Sequence, residues 1–149
     1  MKRQGIPILF LWMVASAAAG DLTTPEGTVD FYLEAQEQMK VEEMAKVRDF
    51  EEQARELLMM VASAAPPSRD AVRDAAKELE REFRAPRKVS LPARSCRTGV
   101  AAMESSSVAR VPVFCSRALG ADMPENSAFT VRVSKTPHGW RIVDSAADE

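Results

Sequence analysis

Residues 96–115, CRTGVAAMESSSVARVPVFC, form two runs of alternating apolar and polar character on either side of a serine triplet. A period of two is typical of half-buried strands, so the stretch predicts an antiparallel hairpin folded about Ser105-Ser106. In that register Cys96 lies directly opposite Cys115. Because Pro112 has no N–H, it must lie at a sheet edge, a margin or a bulge. The further pairs predicted to share one face are Thr98 with Val113, Val100 with Val111, and Ala102 with Ala109.

Two cysteines opposite each other on neighbouring strands lie at a separation that a disulfide can bridge. A bond between Cys96 and Cys115 closes a loop of about 20 residues and is expected to stabilise the fold by roughly 3 kcal/mol. The alternative is a redox-active pair, which usually has the Cys-x-x-Cys spacing at the start of a helix. The wide spacing and the strand-like surroundings favour a structural disulfide.

A second hairpin is predicted near the end of the chain. Residues 129–134 and 140–143 alternate in the same way, and residues 135–139, KTPHG, have the composition of a turn. The register predicted from this turn places Val133 opposite Trp140 and Val131 opposite Ile142.

The first half of the chain has helical periodicity instead. Thr24-Pro25-Glu26 is a helix start, because threonine caps free N–H groups and proline suits the first helical position. An apolar stripe at spacings of three and four continues to Val61, with a break predicted near 38–41. After Pro66-Pro67, Ser68 caps a further helix that ends near Phe83. Helices over 24–85 followed by strands over 88–144 predict an α+β domain, with the helices packed on one face of a curved antiparallel sheet.

Residues 1–19, MKRQGIPILFLWMVASAAA, combine a basic start, a short apolar run and a small-residue exit. These are the parts of a secretory signal peptide, and the apolar run is shorter than the roughly 20 residues that span a membrane. Cleavage after Ala17, Ala19 or Gly20 fits the small-residue rule, and we favour Ala19. We therefore expect a protein exported to a bacterial periplasm, with one domain over residues 20–149.

The charge balance bears on the kind of partner. The chain has 20 basic and 22 acidic residues, a net charge of -2, and the loss of Lys2 and Arg3 with the leader leaves 18 against 22, or -4. A mildly acidic protein is not predisposed to bind nucleic acid. We expect no membrane span, and the partner to be a small molecule or an envelope protein.

Two stretches resemble the NTF2-like superfamily, the cystatin-like α+β cone that includes SnoaL-like proteins. Residues 24–35, TPEGTVDFYLEA, are similar to its opening helix, and 129–133 with 139–144 are similar to its closing hairpin. The resemblance implies an apolar cavity between the first helix and the curved sheet. On that basis the candidates for pocket residues are Tyr32, Phe129 and Trp140, with packing in an ordinary core as the alternative.

Other residues are candidates for a chemical role. His138, the only histidine, lies in a Pro-His-Gly turn, where a solvated loop residue is favoured over a general base. We expect no catalytic set, no bound metal and no cofactor, since metal sites need several ligands and the methionines lack tight spacing. A basic stretch could bind an anionic head group or an acidic partner, or could simply be solvated. It comprises Arg81, Arg84, Arg87, Lys88, Arg94 and Arg97.

Three hypotheses about function follow from the sequence. The first is a non-enzymatic domain that binds a small ligand or a protein partner. The second is a cofactor-free isomerase or hydrolase, which needs a buried carboxylate with a raised pKa. The third is a structural or assembly module, such as a homodimer formed through the open face of the sheet.

Overall fold

The computed structural model describes residues 21–61, 65–86, 95–119 and 123–145, so the predicted leader and the C-terminal tail lie outside it. Its helices precede its strands, and the strands form a curled antiparallel sheet, which confirms the α+β class. The helices are α1 (Pro25–Glu37), α2 (Val41–Lys46), α3 (Phe50–Val61) and α4 (Arg69–Arg84). The strands are β1 (Ser95–Thr98), β2 (Ala102–Met103), β3 (Val108–Leu119), β4 (Met123–Thr136) and β5 (Gly139–Ser145).

The predicted helix starts are confirmed. The Thr24 hydroxyl accepts a hydrogen bond from the N–H of Gly27 at 3.1 Å, and the Ser68 hydroxyl accepts one from the N–H of Ala71 at 3.2 Å. Each bond satisfies one of the N–H groups that the first turn of a helix leaves open. The break predicted near 38–41 is also present, and Met39 takes the left-handed conformation there, with φ 54°.

The apolar stripe expected to continue through Val61 is interrupted once more, at residues 47–49. There the backbone runs beside β5, as Ile142 donates to Val47 O at 2.7 Å and Asp49 donates to Ile142 O at 2.8 Å. Leu22 O accepts from Trp140 N at 2.9 Å along the same strand. These contacts cover the edge of β5, which would otherwise offer unpaired backbone groups to another chain.

The sheet has the strand order β1-β3-β4-β5, with β2 also paired to β3. The first hairpin keeps the predicted register at the pairs Cys96–Cys115 and Thr98–Val113. Beyond them the predicted register is wrong by one residue. The observed pairs are Ala102 with Arg110 and Met103 with Ala109.

The shift begins opposite Pro112. Gly99 N donates to Pro112 O at 2.8 Å, but Pro112 has no N–H to return the bond, and residues 99–101 leave the ladder. Glu26 holds this segment by accepting from Ala101 N at 2.8 Å. As a result Val100 is 86% exposed and does not pair with Val111.

The predicted register of the second hairpin is wrong by two residues. Val133 lies opposite Ile142, not Trp140, and Lys135 lies opposite Trp140, because the connecting loop is only Pro137-His138. A shift of two preserves the face of every side chain, so Val133 and Ile142 are still buried. A register shift between Arg132 and Val133 then makes Val131 pair with Ser145. β3 and β4 also extend beyond the predicted runs, into one long hairpin.

The buried side chains form two clusters. The main core packs α1 and α2 against the inner face of the sheet, and its largest members are aromatic or branched. The smaller core lies between α3 and α4 and contains Phe50, Ala54, Val72 and Ala76. Phe83 packs against both clusters, so the helical hairpin is joined to the rest of the domain at that side chain.

Gly139 is expected to be sensitive to substitution. Its φ is +106°, and an added Cβ would lie 2.7 Å from Leu22 O. Gly139→Ala should lower the free energy of unfolding by about 2 kcal/mol, because it combines backbone strain with a clash. The control is His138→Ala in the same turn, which removes an exposed side chain and should change stability by less than about 0.5 kcal/mol. Urea unfolding followed by Trp140 fluorescence tests the difference, and equal midpoints for the two variants would contradict the assignment.

Candidate binding site

A recess of about 500 Å³ lies over β1, β3 and β4. Its volume is within the range of pockets that bind small molecules. The residues that line it come from three adjacent strands and meet in three cross-strand rows. They are Ser95, Ser116 and Asn126; Cys96, Cys115 and Ser127; and Arg97, Phe114 and Ala128.

The first and third rows face away from the main core. Successive side chains of a strand point to opposite faces, and Cys115 belongs to the core cluster, so Phe114 and Ser116 must point outward. Phe114 is accordingly 43% exposed. The middle row lies between the two outward rows and supplies the disulfide.

The disulfide Cys96–Cys115 predicted from the sequence is present, with 4.0 Å between the two Cα atoms. It ties β1, a four-residue strand, to the centre of the sheet. Both sulfurs are bonded to each other, so these two residues offer no thiolate for chemistry or metal binding. In the wall of the recess the two cysteines therefore have a structural role.

Arg97 and Phe114 form the chemically distinctive pair of the recess. The Arg97 guanidinium carbon lies 5.4 Å from the centre of the Phe114 ring, within cation–π range. The carboxylate of Asp30 also contacts β1, where it accepts a hydrogen bond from the Thr98 hydroxyl at 2.8 Å. Among the residues that the structure describes, Arg97 forms no ion pair. The exposed cation can therefore bind a ligand.

The pocket residues suggested by the family resemblance lie elsewhere. Tyr32 and Trp140 belong to the main core, 1% and 5% exposed, and the half-buried Phe129 packs against it. None of the three lines the recess. Their role in a cavity stays a prediction. Reasoning from sequence named Arg97 only as a member of the basic stretch and missed Phe114, although the predicted register of the first hairpin already places the two opposite each other.

The basic stretch divides into groups with different surroundings. Arg84 bonds to both Glu42 and Glu80 at 2.7 Å, and Arg81 pairs with Glu78, whose hydrogen bond raises the pKa of Arg81. The residues Arg87, Lys88 and Arg94 lie outside the described ranges. Of the described cations in this stretch, Arg97 is the one that lines the recess.

Among the residues whose burial the structure describes, the most buried charged side chain is Arg48, which is 9% exposed. Its guanidinium donates to Tyr32 Oη at 3.1 Å and to Gln53 Oε1 at 3.2 Å. The guanidinium carbon lies 4.9 Å from the centre of the Phe83 ring and 5.8 Å from that of Phe50. These contacts place Arg48 at the junction of the two cores, where it touches side chains of α1, α3 and α4.

A second link between the helices and the sheet is the ion pair of Arg132 on β4 with Glu56 on α3. Hydrogen bonding by Glu56 raises the pKa of Arg132 against the opposing effect of partial burial. His138 is exposed in the β4–β5 turn, where its backbone N–H donates to the Thr136 hydroxyl at 3.2 Å. Neither arrangement places a nucleophile beside a general base.

Comparison with models of protein families, with curated proteins and with solved structures gives no match for this chain. Within the described ranges, His, Cys, Asp and Glu side chains do not gather in any group of three or more that could hold a metal ion. No helix in that same part of the chain has the length and apolar character to cross a membrane. The geometry of the recess therefore carries the functional argument.

Proposed function

We propose that this chain is an exported domain of the NTF2-like kind that binds a small ligand or a protein partner without catalysis. The observation that carries the proposal is the recess over β1, β3 and β4, which brings an exposed aromatic ring and a cation together. Binding sites of this kind are concave and place a few polar groups within apolar surroundings. The disulfide beside the recess is consistent with an oxidising, exported location.

The enzymatic alternative needs a carboxylate shielded from water, so that its pKa rises into the working range. Among the residues whose burial the structure describes, the only buried charged side chain is Arg48, and the Asp and Glu side chains of that set keep access to solvent. This arrangement supports binding over acid–base catalysis as the proposed function.

Assembly through the sheet is the second candidate, because apolar side chains are exposed on or beside its outer face. Val100, Met103 and Phe114 are all more than a third exposed. A second copy of the chain could cover them, as in many homodimers.

Native mass spectrometry of the protein recovered from an exporting host separates these functions. We expect a monomer that carries extra mass, that releases this mass on denaturation, and that is two hydrogens lighter than the reduced chain because of the disulfide. A dimer without added mass would favour assembly. A bare monomer that also fails to bind any probe offered to it would contradict the proposed function.

A further inference from the structure

We infer that the recess binds a carboxylate attached to an apolar body, with Arg97 holding the carboxylate and Phe114 contacting the apolar part. This inference rests on the proposed function, since it names the chemical class of the ligand for the same recess. Three observations support it: the sign of the local charge, the geometry of the Arg97–Phe114 pair, and the polar groups of the neighbouring row.

The local charge is opposite to that of the protein. The chain is acidic, with a net charge of -2. The described lining of the recess nevertheless contains one formal charge, the guanidinium of Arg97, and no carboxylate. A cation beside an open recess attracts anions and repels cationic ligands.

The position of the Arg97 guanidinium over the Phe114 ring suits it to bind a planar anion. A guanidinium beside an aromatic ring keeps its N–H groups at the edge of its plane, where they match the two oxygens of a carboxylate. Within the described residues, Arg97 donates no hydrogen bond that a ligand would have to displace. The ring also limits the motion of the side chain, so less conformational entropy is lost on binding.

The remaining lining explains why the ligand needs an apolar part. Phe114 is 43% exposed and Ala128 lies beside it in the same row, so the Arg97 end of the recess is largely apolar. The other outward-facing row supplies hydroxyl and amide groups from Ser95, Ser116 and Asn126. These groups can donate further hydrogen bonds to the ligand, since each carboxylate oxygen that Arg97 binds can accept a second one. A carboxylate without an apolar body would leave the aromatic surface in water.

Matched probes of known chemistry test the inference by NMR on the isotope-labelled protein recovered from an exporting host. Phenylacetate carries both features, acetate lacks the ring, phenylacetamide lacks the charge, and phenethylamine reverses it. We expect phenylacetate to bind about tenfold more tightly than any of the other three, as a charge-assisted, bidentate contact should allow. The amide signals that shift should belong to residues 95–97, 114–116 and 126–128.

Variants assign the contacts to their residues. Arg97→Gln replaces the guanidinium with a shorter, uncharged polar side chain, and should weaken phenylacetate binding about tenfold while leaving phenylacetamide unchanged. Phe114→Leu should reduce the advantage of phenylacetate over acetate. The matched control is Arg110→Gln, since Arg110 lies on the same outer face, pairs with Glu104 and does not line the recess. It should bind phenylacetate as the wild type does.

The outcomes distinguish a failure of this inference from a failure of the proposed function. If phenylacetamide binds as tightly as phenylacetate, or Arg97→Gln keeps full affinity, the carboxylate assignment is wrong while a binding function stands. If the amide signals that shift belong only to the surroundings of Tyr32 and Trp140, the ligand binds in the core cavity expected from the family resemblance and not in the recess. If none of the four probes binds at millimolar concentration, the inference is overturned, and native mass spectrometry decides the function independently.

Discussion

Replacing Arg48 with alanine should lower the free energy of unfolding by about 3 kcal/mol, a large share of the stability of a domain of this size. The substitution removes hydrogen bonds from a charged donor to Tyr32 and Gln53, each worth roughly 1.5–3 kcal/mol before the desolvation of the guanidinium is counted. It also removes contacts with the rings of Phe50 and Phe83 and leaves a cavity among them.

The variant should also reduce the cooperativity of unfolding, because Arg48 lies where the two cores meet. Tyr32 belongs to the main core and Phe50 to the smaller core between α3 and α4. Trp140, the only tryptophan outside the proposed leader, reports on the main core by its fluorescence. Far-UV circular dichroism reports mainly on the helices. In wild type the two signals should change together in urea, whereas in Arg48→Ala the helical signal should be lost first.

Two further variants distinguish the charge from the bulk of the side chain. Arg48→Met keeps most of the volume and should lower stability by only about 1 kcal/mol, because apolar replacements for buried charges avoid the desolvation penalty. Arg73→Ala is the matched control, since Arg73 forms an exposed ion pair with Asp70, and it should change stability by less than about 0.5 kcal/mol. In Arg48→Ala the fluorescence and circular dichroism transitions could instead coincide and have the same midpoint as in Arg73→Ala. That result would contradict a joining role for Arg48.

Local patterns in the sequence were sufficient for several elements of this fold. Thr24 and Ser68 start helices because their hydroxyls satisfy backbone N–H groups within three residues along the chain. The period-two run around Cys96 and Cys115 predicted their pairing because alternation and a single turn determine which positions face each other. In each case the deciding interaction is local, or is set by one turn.

The errors at 47–49 and in the second hairpin have different physical causes. The backbone at 47–49 has an apolar pattern that suits a helix, but hydrogen bonds to Ile142 draw it along β5. The predicted register of the second hairpin is wrong because all of residues 135–139 have turn-forming character, whereas only Pro137-His138 forms the loop. Neither the edge of β5 nor the loop length can be inferred from the periodicity of the residues involved.

The candidate site was only partly accessible to sequence reasoning. The disulfide and the pairing of Arg97 with Phe114 follow from the predicted register, but the register does not show that the two side chains border a recess. That property depends on the neighbouring strand β4, whose pairing with β3 at Ala128 lies beyond the predicted strand. The burial of Arg48 among three aromatic rings was likewise hidden, because its partners come from α1, α3 and α4.

Removing the disulfide should have the second large effect. The double variant Cys96→Ser/Cys115→Ser should lower the free energy of unfolding by about 3 kcal/mol, and the melting temperature by about 10 °C. The bond closes a loop with a sequence separation of 19, and without it the unfolded chain gains conformational freedom. Both cysteines are replaced together so that no free thiol remains to form dimers.

The same variant should lose ligand affinity, because β1 is a short edge strand that carries Arg97. Without the disulfide β1 keeps its hydrogen bonds to β3 and the contact of Thr98 with Asp30. These exposed contacts are weak, so β1 should separate from the sheet part of the time and take Arg97 away from Phe114. Phenylacetate binding should therefore weaken in the variant even at temperatures where the main core is folded, as Trp140 fluorescence can verify.

A reductant provides the matched control for this prediction. Dithiothreitol should lower the melting temperature of wild type to that of the double variant, and should leave the variant itself unchanged, since the chain has only two cysteines. Ser95→Ala/Ser116→Ala changes the adjacent cross-strand pair without removing a covalent bond, and should lower stability by less than about 0.5 kcal/mol. If the double cysteine variant melts with wild type, β1 is held by its hydrogen bonds alone. If it melts early but binds phenylacetate fully, the disulfide stabilises the domain without positioning Arg97.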